Sequence, residues 1–349
     1  MVVRKRLLLQ MLQIQNRRYI GSKYKLREEI YRQACSFFDA NTKFQFADLF
    51  AGTGSVAYYF AKKNHRVIVN DILYSNFVAY EAWFGNKKIN LKKINTIIDN
   101  WNSINPNLLN DNYFSKIYSE KYYSLNNAKK IGFIREDLEN IKNNLNSREY
   151  FILLTSLIYA ADSIANTVGH FESFLKKKPL DKNLFLKKIQ IDKIKFAKIF
   201  NMDANQLSKE IYADVIYIDP PYNARQYINF YHVLENLALW NKPTKFEGIS
   251  MKFERNHLKS SYSTNRAKRT FSDLIQNLKC KLIIVSYNNT YCASSSASNN
   301  KISENDLKKI LQKKGKIAVK EFKYNFFNAG KTNLKNHREK LYICRVENE

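Results

Sequence analysis

The run Tyr217-Ile-Asp219-Pro220-Pro221-Tyr222-Asn-Ala-Arg225-Gln-Tyr227 sets a carboxylate, two prolines and aromatic rings directly after a short apolar strand expected over 214–218. That combination suits transfer of a methyl group to the amine of a base. The amine of adenine is a poor nucleophile, because its lone pair is delocalised into the ring. Asp219 can accept one amino proton, and the Pro220 carbonyl, its direction limited by the fixed φ of Pro220 and Pro221, can accept the other. The nitrogen is thereby drawn towards sp3 character and its lone pair aimed at a methyl donor. Tyr222 offers a face on which a base taken out of the duplex could stack. The plainer alternative is a strand-to-loop turn with prolines as punctuation.

Such chemistry needs a donor site, and earlier residues offer one. A buried strand is expected over 44–50, then Ala51-Gly52-Thr53-Gly54-Ser55, then a helical stretch over 56–63. Glycines let a backbone turn tightly and approach a ligand, and a helix N-terminus favours a negative group. A second strand over 66–70 ends in Asp71, well placed to accept hydrogen bonds from ribose hydroxyls. With Ala57 in the sixth position, the loop also fits the dinucleotide fingerprint G-x-G-x-x-A with an acid about twenty residues on. A nicotinamide dehydrogenase is therefore an alternative, but it gives no reason for Asp-Pro-Pro-Tyr at a later strand end. Ahead of the glycine loop, Asn16-Arg17-Arg18-Tyr19-Ile20-Gly21-Ser22-Lys23 leads into a helix expected over 26–38. Lys23 could neutralise the carboxylate of a donor's methionine part, with Tyr19 beside it; equally, the segment reads as a solvated helix start.

Taken together, Tyr-x-Gly-Ser-Lys, Asp48-x-Phe50-x-Gly52-x-Gly54-Ser55 and Asp219-Pro-Pro-Tyr-Asn-x-Arg-Gln-Tyr227 resemble the D12 class of N6-adenine DNA methyltransferases, the modification and orphan adenine methylases. Tyr231-His-Val-Leu-Glu235-Asn, 165–171 and Ser286-Tyr287-Asn288-Asn289 extend the resemblance. It implies an α/β fold: a Rossmann-like S-adenosylmethionine-dependent methyltransferase sheet carrying an inserted, mainly helical target-recognition subdomain. It implies a donor pocket built from Tyr19, Lys23, Asp48, Gly52, Gly54 and Asp71. Asp203 resembles the acid placed near the donor's adenine ring, although Ala204 follows it where the family often has an aromatic. Asp219, Pro220, Pro221 and Tyr222 would carry catalysis. Arg225 and Tyr227 would shape the pocket entrance or contact the DNA backbone. The implied partner is duplex DNA, modified by a monomer that needs no metal, with a cognate restriction endonuclease that forms no stable complex with it. The Asn-x-Arg-Gln-Tyr extension is similar to that of members modifying CATG-like palindromes. Ribosomal RNA adenine methylases also use Asp-Pro-Pro-Tyr and are the second reading; Tyr-Ile-Gly-Ser-Lys and Arg225-Gln-Tyr resemble the DNA enzymes instead.

Composition bears on the partner. In 349 residues, 58 basic against 31 acidic side chains leave a formal +27, which favours a polyanion. Abundant Lys, Asn and Ile also fit an AT-rich coding sequence, which would account for part of that charge. The four cysteines, Cys35, Cys280, Cys292 and Cys344, are scattered, which fits a reducing, cytoplasmic compartment and no structural zinc. No Pro-Cys dipeptide occurs, so nothing suggests the thiolate attack that methylation of a cytosine ring carbon requires. The basic-then-apolar start at 1–9 is not expected to act as a signal peptide, being short and interrupted by Gln10 and Gln13. No apolar run reaches membrane-spanning length.

Three regions are expected: a donor-binding part at 1–95, a helical target-recognition insertion at 96–200, and a catalytic part with closing strands at 201–349. The early alternation of helices and strands implies a parallel sheet. Between 84 and 150 the aromatics Trp101, Tyr113, Phe114, Tyr118, Tyr122 and Tyr123 lie among Lys and Asn; a small core of their own is favoured over a DNA-facing role. An apolar helix is expected over 151–161. After 165–171, Lys176 and Lys177 either contact the DNA backbone or form a solvated charge run. A helix over 227–240, a mobile basic loop over 241–270, a buried strand over 281–288, a Ser303-capped helix and closing strands over 316–326 and 340–346 complete the expectation.

Overall fold

The computed structural model describes residues 11–291, 296–323 and 337–347. The start at 1–9, Cys292 and the last residues of the strand expected over 316–326 lie outside them. The chain forms two compact units. One comprises the described residues of Gly21–Ile72, Lys195–Tyr227 and Asn256–Glu349; the other those of Met1–Ile20, Leu73–Ile194 and Ile228–Arg255. These units divide the chain differently from the three expected regions. The helices Tyr74–Phe84 and Leu91–Ser103, and the segment Ile228–Arg255, go with the helical unit.

The first unit is built on a seven-stranded sheet. Its strands are β1 Gln45–Asp48, β2 Arg66–Asn70, β3 Ala197–Phe200, β4 Val215–Ile218, β5 Leu282–Asn288, β6 Gly315–Lys323 and β7 Arg338–Val346, in the spatial order β3-β2-β1-β4-β5-β7-β6. The first five run parallel, and β7 inserts antiparallel between β5 and β6. This is a Rossmann-like, doubly wound order that ends in an antiparallel pair. Burial on both faces explains the continuous apolar runs of β4 and β5, every residue of which is buried. On one face Ile216, Ile218, Ile283 and Val285 pack with Leu207, Phe271, Leu274 and Leu307 of the helices Ala204–Glu210, Ala267–Asn277 and Glu304–Gln312. On the other, Phe46 stacks on Phe60 of the helix Ser55–Lys62 with ring centroids 3.6 Å apart.

The second unit is helical. Its longest helix, Ser147–Ile164, starts at a reciprocal cap: the Asn146 side chain accepts from the Glu149 N–H at 3.1 Å, and Glu149 accepts from the Asn146 N–H at 3.1 Å. Trp101, Phe114, Tyr118, Tyr122 and Tyr123 are buried, and the last four pack ring on ring; Tyr113 is half-buried and packs on Trp240. In the stretch after 240, one of the basic residues is held by hydrogen bonds. Arg255 is buried, with its guanidinium on Asn229 (2.7 Å), Glu247 (3.1 Å) and the Phe253 carbonyl (2.8 Å). Among the described residues, no helix is long and apolar enough to cross a membrane.

Candidate active site

Side chains alternate across a strand, so register decides which acids meet. Asp48 pairs with Tyr217 across β1 and β4, and Tyr217 with Ile284 across β4 and β5; all three lie opposite the Ile216–Val285 face. Asp219, two residues beyond Tyr217, continues that face off the carboxyl end of β4. β7 runs the other way, so its first residues arrive at the same edge, with Glu339 opposite Asn288 at the end of β5. Three acids thus reach one face of one sheet edge, where parallel sheets ordinarily place ligands.

Lys23 joins two of them. Its Nζ lies 2.9 Å from each Asp219 oxygen, 3.0 Å from the Gly21 carbonyl and 3.5 Å from Glu339. The Tyr222 hydroxyl lies against Asp219 and 2.7 Å from Glu339 Oε1. The side chains of Lys23 and Glu339 are each only 4% exposed, while Asp219 keeps 16%, so an incoming group meets Asp219 first. Burial pushes the Asp219 carboxyl up, opposed by the Lys23 charge and the Tyr222 hydrogen bond. Glu339 is raised by burial too, with Lys23 opposing and Asp219 reinforcing. Burial beside these two carboxylates keeps the Tyr222 phenol protonated. Pro220 is buried and Pro221 half-buried. The Tyr222 backbone is pinned, its carbonyl accepting from the Lys301 N–H at 2.7 Å and the Tyr287 hydroxyl at 3.2 Å. Its ring packs on Tyr287 at 4.5 Å.

The glycine loop follows β1. Gly54 takes φ 77° as the residue before the helix Ser55–Lys62, and Gly52 takes φ 55°, left-handed geometry that a Cβ would strain. Asp71 holds this loop, accepting the Gly52 N–H at 2.9 Å. Asp48 is buried, and the backbone N–H groups of Phe50 and Ala57 approach its carboxylate. Burial first, then Asp219 and Asp71, pushes its pKa well above the carboxylate range. Such an acid fits a bound group that brings hydrogen-bond donors or positive charge. Asp203 is exposed and caps the helix Ala204–Glu210, accepting from Asn205 and Gln206 N–H groups. Asn70 ties that loop to the sheet, donating to the Leu49 carbonyl at 3.0 Å and the Met202 carbonyl at 3.1 Å.

Other expected residues fall elsewhere. The Tyr227 hydroxyl sits 3.0 Å from where a Cβ on Gly21 would stand, and Asp219, Asp71 and Glu339 raise its pKa after burial does. Tyr227 is therefore a neighbour of the acids. Arg225 is half-buried, its carbonyl accepting from the Ser263 hydroxyl at 3.1 Å. In the helical unit, Tyr19 stacks on Tyr231 at 4.7 Å with planes 3° apart, and Arg17 lies over both rings. Lys176 and Lys177 are exposed there, and the Lys177 carbonyl accepts from Asn166 at 3.0 Å. Glu339 carried no sequence signal of its own; only its place one residue inside an edge-reaching strand could have marked it.

Comparison with known proteins fits this geometry. The modification methylase StsI of Streptococcus sanguinis is 39% identical over 89% of this chain and 49% of its own length. The type II methyltransferase M.NlaIII of Neisseria lactamica is 31% identical over 92% of this chain and 95% of its own. M.FokI of Planomicrobium okeanokoites is 33% identical over 77% of this chain and 44% of its own. The chain thus spans about half the length of StsI and M.FokI methylases, and nearly all of M.NlaIII. The family described as D12 class N6 adenine-specific DNA methyltransferase matches residues 19–283, which hold the lysine, the glycine loop and Asp-Pro-Pro-Tyr, and the chain belongs to that family.

Proposed function

We propose that this chain transfers a methyl group from S-adenosylmethionine to the N6 amine of adenine in duplex DNA, as the modification enzyme of a type II system. The observation carrying this reading is Asp219: a partly exposed carboxylate at the end of β4, backed by Pro220 and Pro221, on the sheet face that also bears Asp48. The donor, when bound, supplies an electrophilic methyl group. On the donor side, Asp48 offers a buried carboxylate, Asp71 an acceptor beside Gly52, and Lys23 a cation; Asp203 is the acid for the adenine ring. On the acceptor side, Asp219 takes one amino hydrogen and the Pro220 carbonyl the other, and Tyr222 bounds the base. An adenine flipped from the duplex costs a few kcal/mol of unstacking. Arg225, Tyr227, Lys176 and Lys177 are proposed to act towards DNA. No step needs a metal, because the methyl is already activated on its donor. The family and its type II relatives support DNA over the ribosomal RNA reading. A monomer, working beside an endonuclease it does not bind, completes the proposal.

Tritiated-methyl transfer to unmethylated duplex DNA, with total RNA in parallel, tests it. Label in N6-methyladenine from DNA alone is expected; label confined to RNA would move the chain to the ribosomal reading. Asp219→Ala should lose at least about 100-fold in transfer, the scale on which positioned proton acceptors act. The same variant should retain donor binding in equilibrium dialysis, and loss of both together would sink this division of roles.

A further inference from the structure

We infer that Glu339 is a positioning residue of the transfer site: it accepts the Tyr222 hydroxyl hydrogen bond and steadies Lys23 when Asp219 turns to the substrate amine. The inference rests on the functional reading above and adds a residue to it.

A phenol has one hydrogen to donate, and the Tyr222 hydroxyl stands between two carboxylates, against Asp219 Oδ1 and 2.7 Å from Glu339 Oε1. It can serve only one at a time. While it serves Asp219, it competes with the adenine amine for that carboxylate. Glu339 gives the proton somewhere else to go. Being a carboxylate, it can accept the same hydrogen bond that Asp219 gives up. A missing acceptor would leave the phenol on Asp219, and a neutral one would draw it away less well.

Lys23 follows the same logic. Its Nζ bridges Asp219 at 2.9 Å and Glu339 at 3.5 Å, so it can shift weight between them without losing an anionic partner. Glu339 is buried and Asp219 partly exposed, so the acid that exchanges partners is the one an incoming base can reach. The antiparallel direction of β7 fixes the arrangement. Register with β5 sets Glu339 opposite Asn288, on the face and at the edge where Asp219 leaves β4. No covalent step is added; a hydrogen bond changes acceptor.

The test is a double-mutant cycle with Tyr222→Phe, read as kcat at saturating donor and DNA. Glu339→Ala should lower kcat by about tenfold, and Glu339→Gln, whose amide oxygen still accepts, by about threefold; the donor Kd should move less than about threefold in either. In the Tyr222→Phe background, where no phenol competes and only the Lys23 contact is left to lose, Glu339→Ala should cost less than about threefold. That suppression distinguishes positioning from general loss of structure, which would slow both backgrounds alike. Glu339→Gln fills the same volume and keeps the test alive if the alanine variant does not fold. Wild-type kcat in Glu339→Gln, or a Glu339 loss that multiplies with that of Tyr222→Phe, overturns the inference. Wild-type protein that leaves DNA adenine unlabelled instead overturns the functional reading, and this inference with it.

Discussion

Asp219 must be ionised to accept an amino proton, yet its surroundings oppose ionisation. Burial raises its pKa, and Lys23 and the Tyr222 hydrogen bond only partly offset that. Facing it are Lys23, Tyr222, Tyr217, Tyr227, Asp48 and Glu339, one cation among acids and phenols. The base form is lost as pH falls, so the acid limb of kcat/KM for DNA should lie above the ordinary carboxylate value of about 4. Lys23→Met removes the chief influence lowering that pKa, and should move the limb to higher pH. A pH–rate profile from pH 4 to 9 measures both. An acid limb at the ordinary value, or one unmoved by Lys23→Met, would mean that Asp219 does not set the protonation state that matters.

At the scale of elements, the helical unit is joined by buried polar groups that reach across the chain. The first N–H groups of a helix have no partner within it. For Tyr74–Phe84 they are met by Glu235, from the helix Tyr227–Leu239: its oxygens accept from Tyr74 at 2.6 Å and Ser75 at 3.0 Å. Glu235 is fully buried, and Arg17 close by offsets part of the cost of its charge. Glu235→Ala would strand the buried Ser75 N–H and the half-buried Tyr74 N–H, so a loss of about 2 kcal/mol is expected. Urea unfolding followed by circular dichroism would show it as a lower midpoint at unchanged slope. An unchanged midpoint would mean water or a rearranged side chain caps the helix equally well.

For the molecule as a whole, charge dominates the expectation. A formal +27 on 349 residues gives a reservoir of Lys and Arg for phosphates, as in Lys176 and Lys177, exposed in the helical unit. Each phosphate neutralised releases counterions, so log Kd for DNA should rise nearly linearly with log salt. With six or more phosphate contacts, affinity should fall by about 1,000-fold between 50 and 200 mM salt. Donor affinity, set by a buried site, should change far less. Fluorescence anisotropy with labelled duplex at several salt concentrations checks the slope. A flat dependence would mean that the surplus charge serves solubility rather than DNA.

The sequence by itself determined the local chemistry and the order of elements. Asp-Pro-Pro-Tyr after an apolar strand, the glycine loop after another and Gly-Ser-Lys before both were legible because each is a short-range pattern with a local physical cause. The alternation that makes a parallel sheet was legible for the same reason, and so was the Ser303 cap, which accepts from the Asp306 N–H at 3.1 Å. Long-range pairing was not. That Lys23 lies on Asp219, 196 residues away, that Tyr222 lies on Glu339, 117 residues away, and that Arg255 bonds to Asn229, 26 residues away, were decided only by the fold. The division into units was decided there too, since Ile228–Arg255 joins helices that precede it by more than sixty residues. The reason is that a motif specifies its own backbone through neighbours in the chain. A buried charge takes whichever partner strand order and register bring to it, and a lone glutamate such as Glu339 shows nothing of this until β7 is threaded antiparallel beside β5.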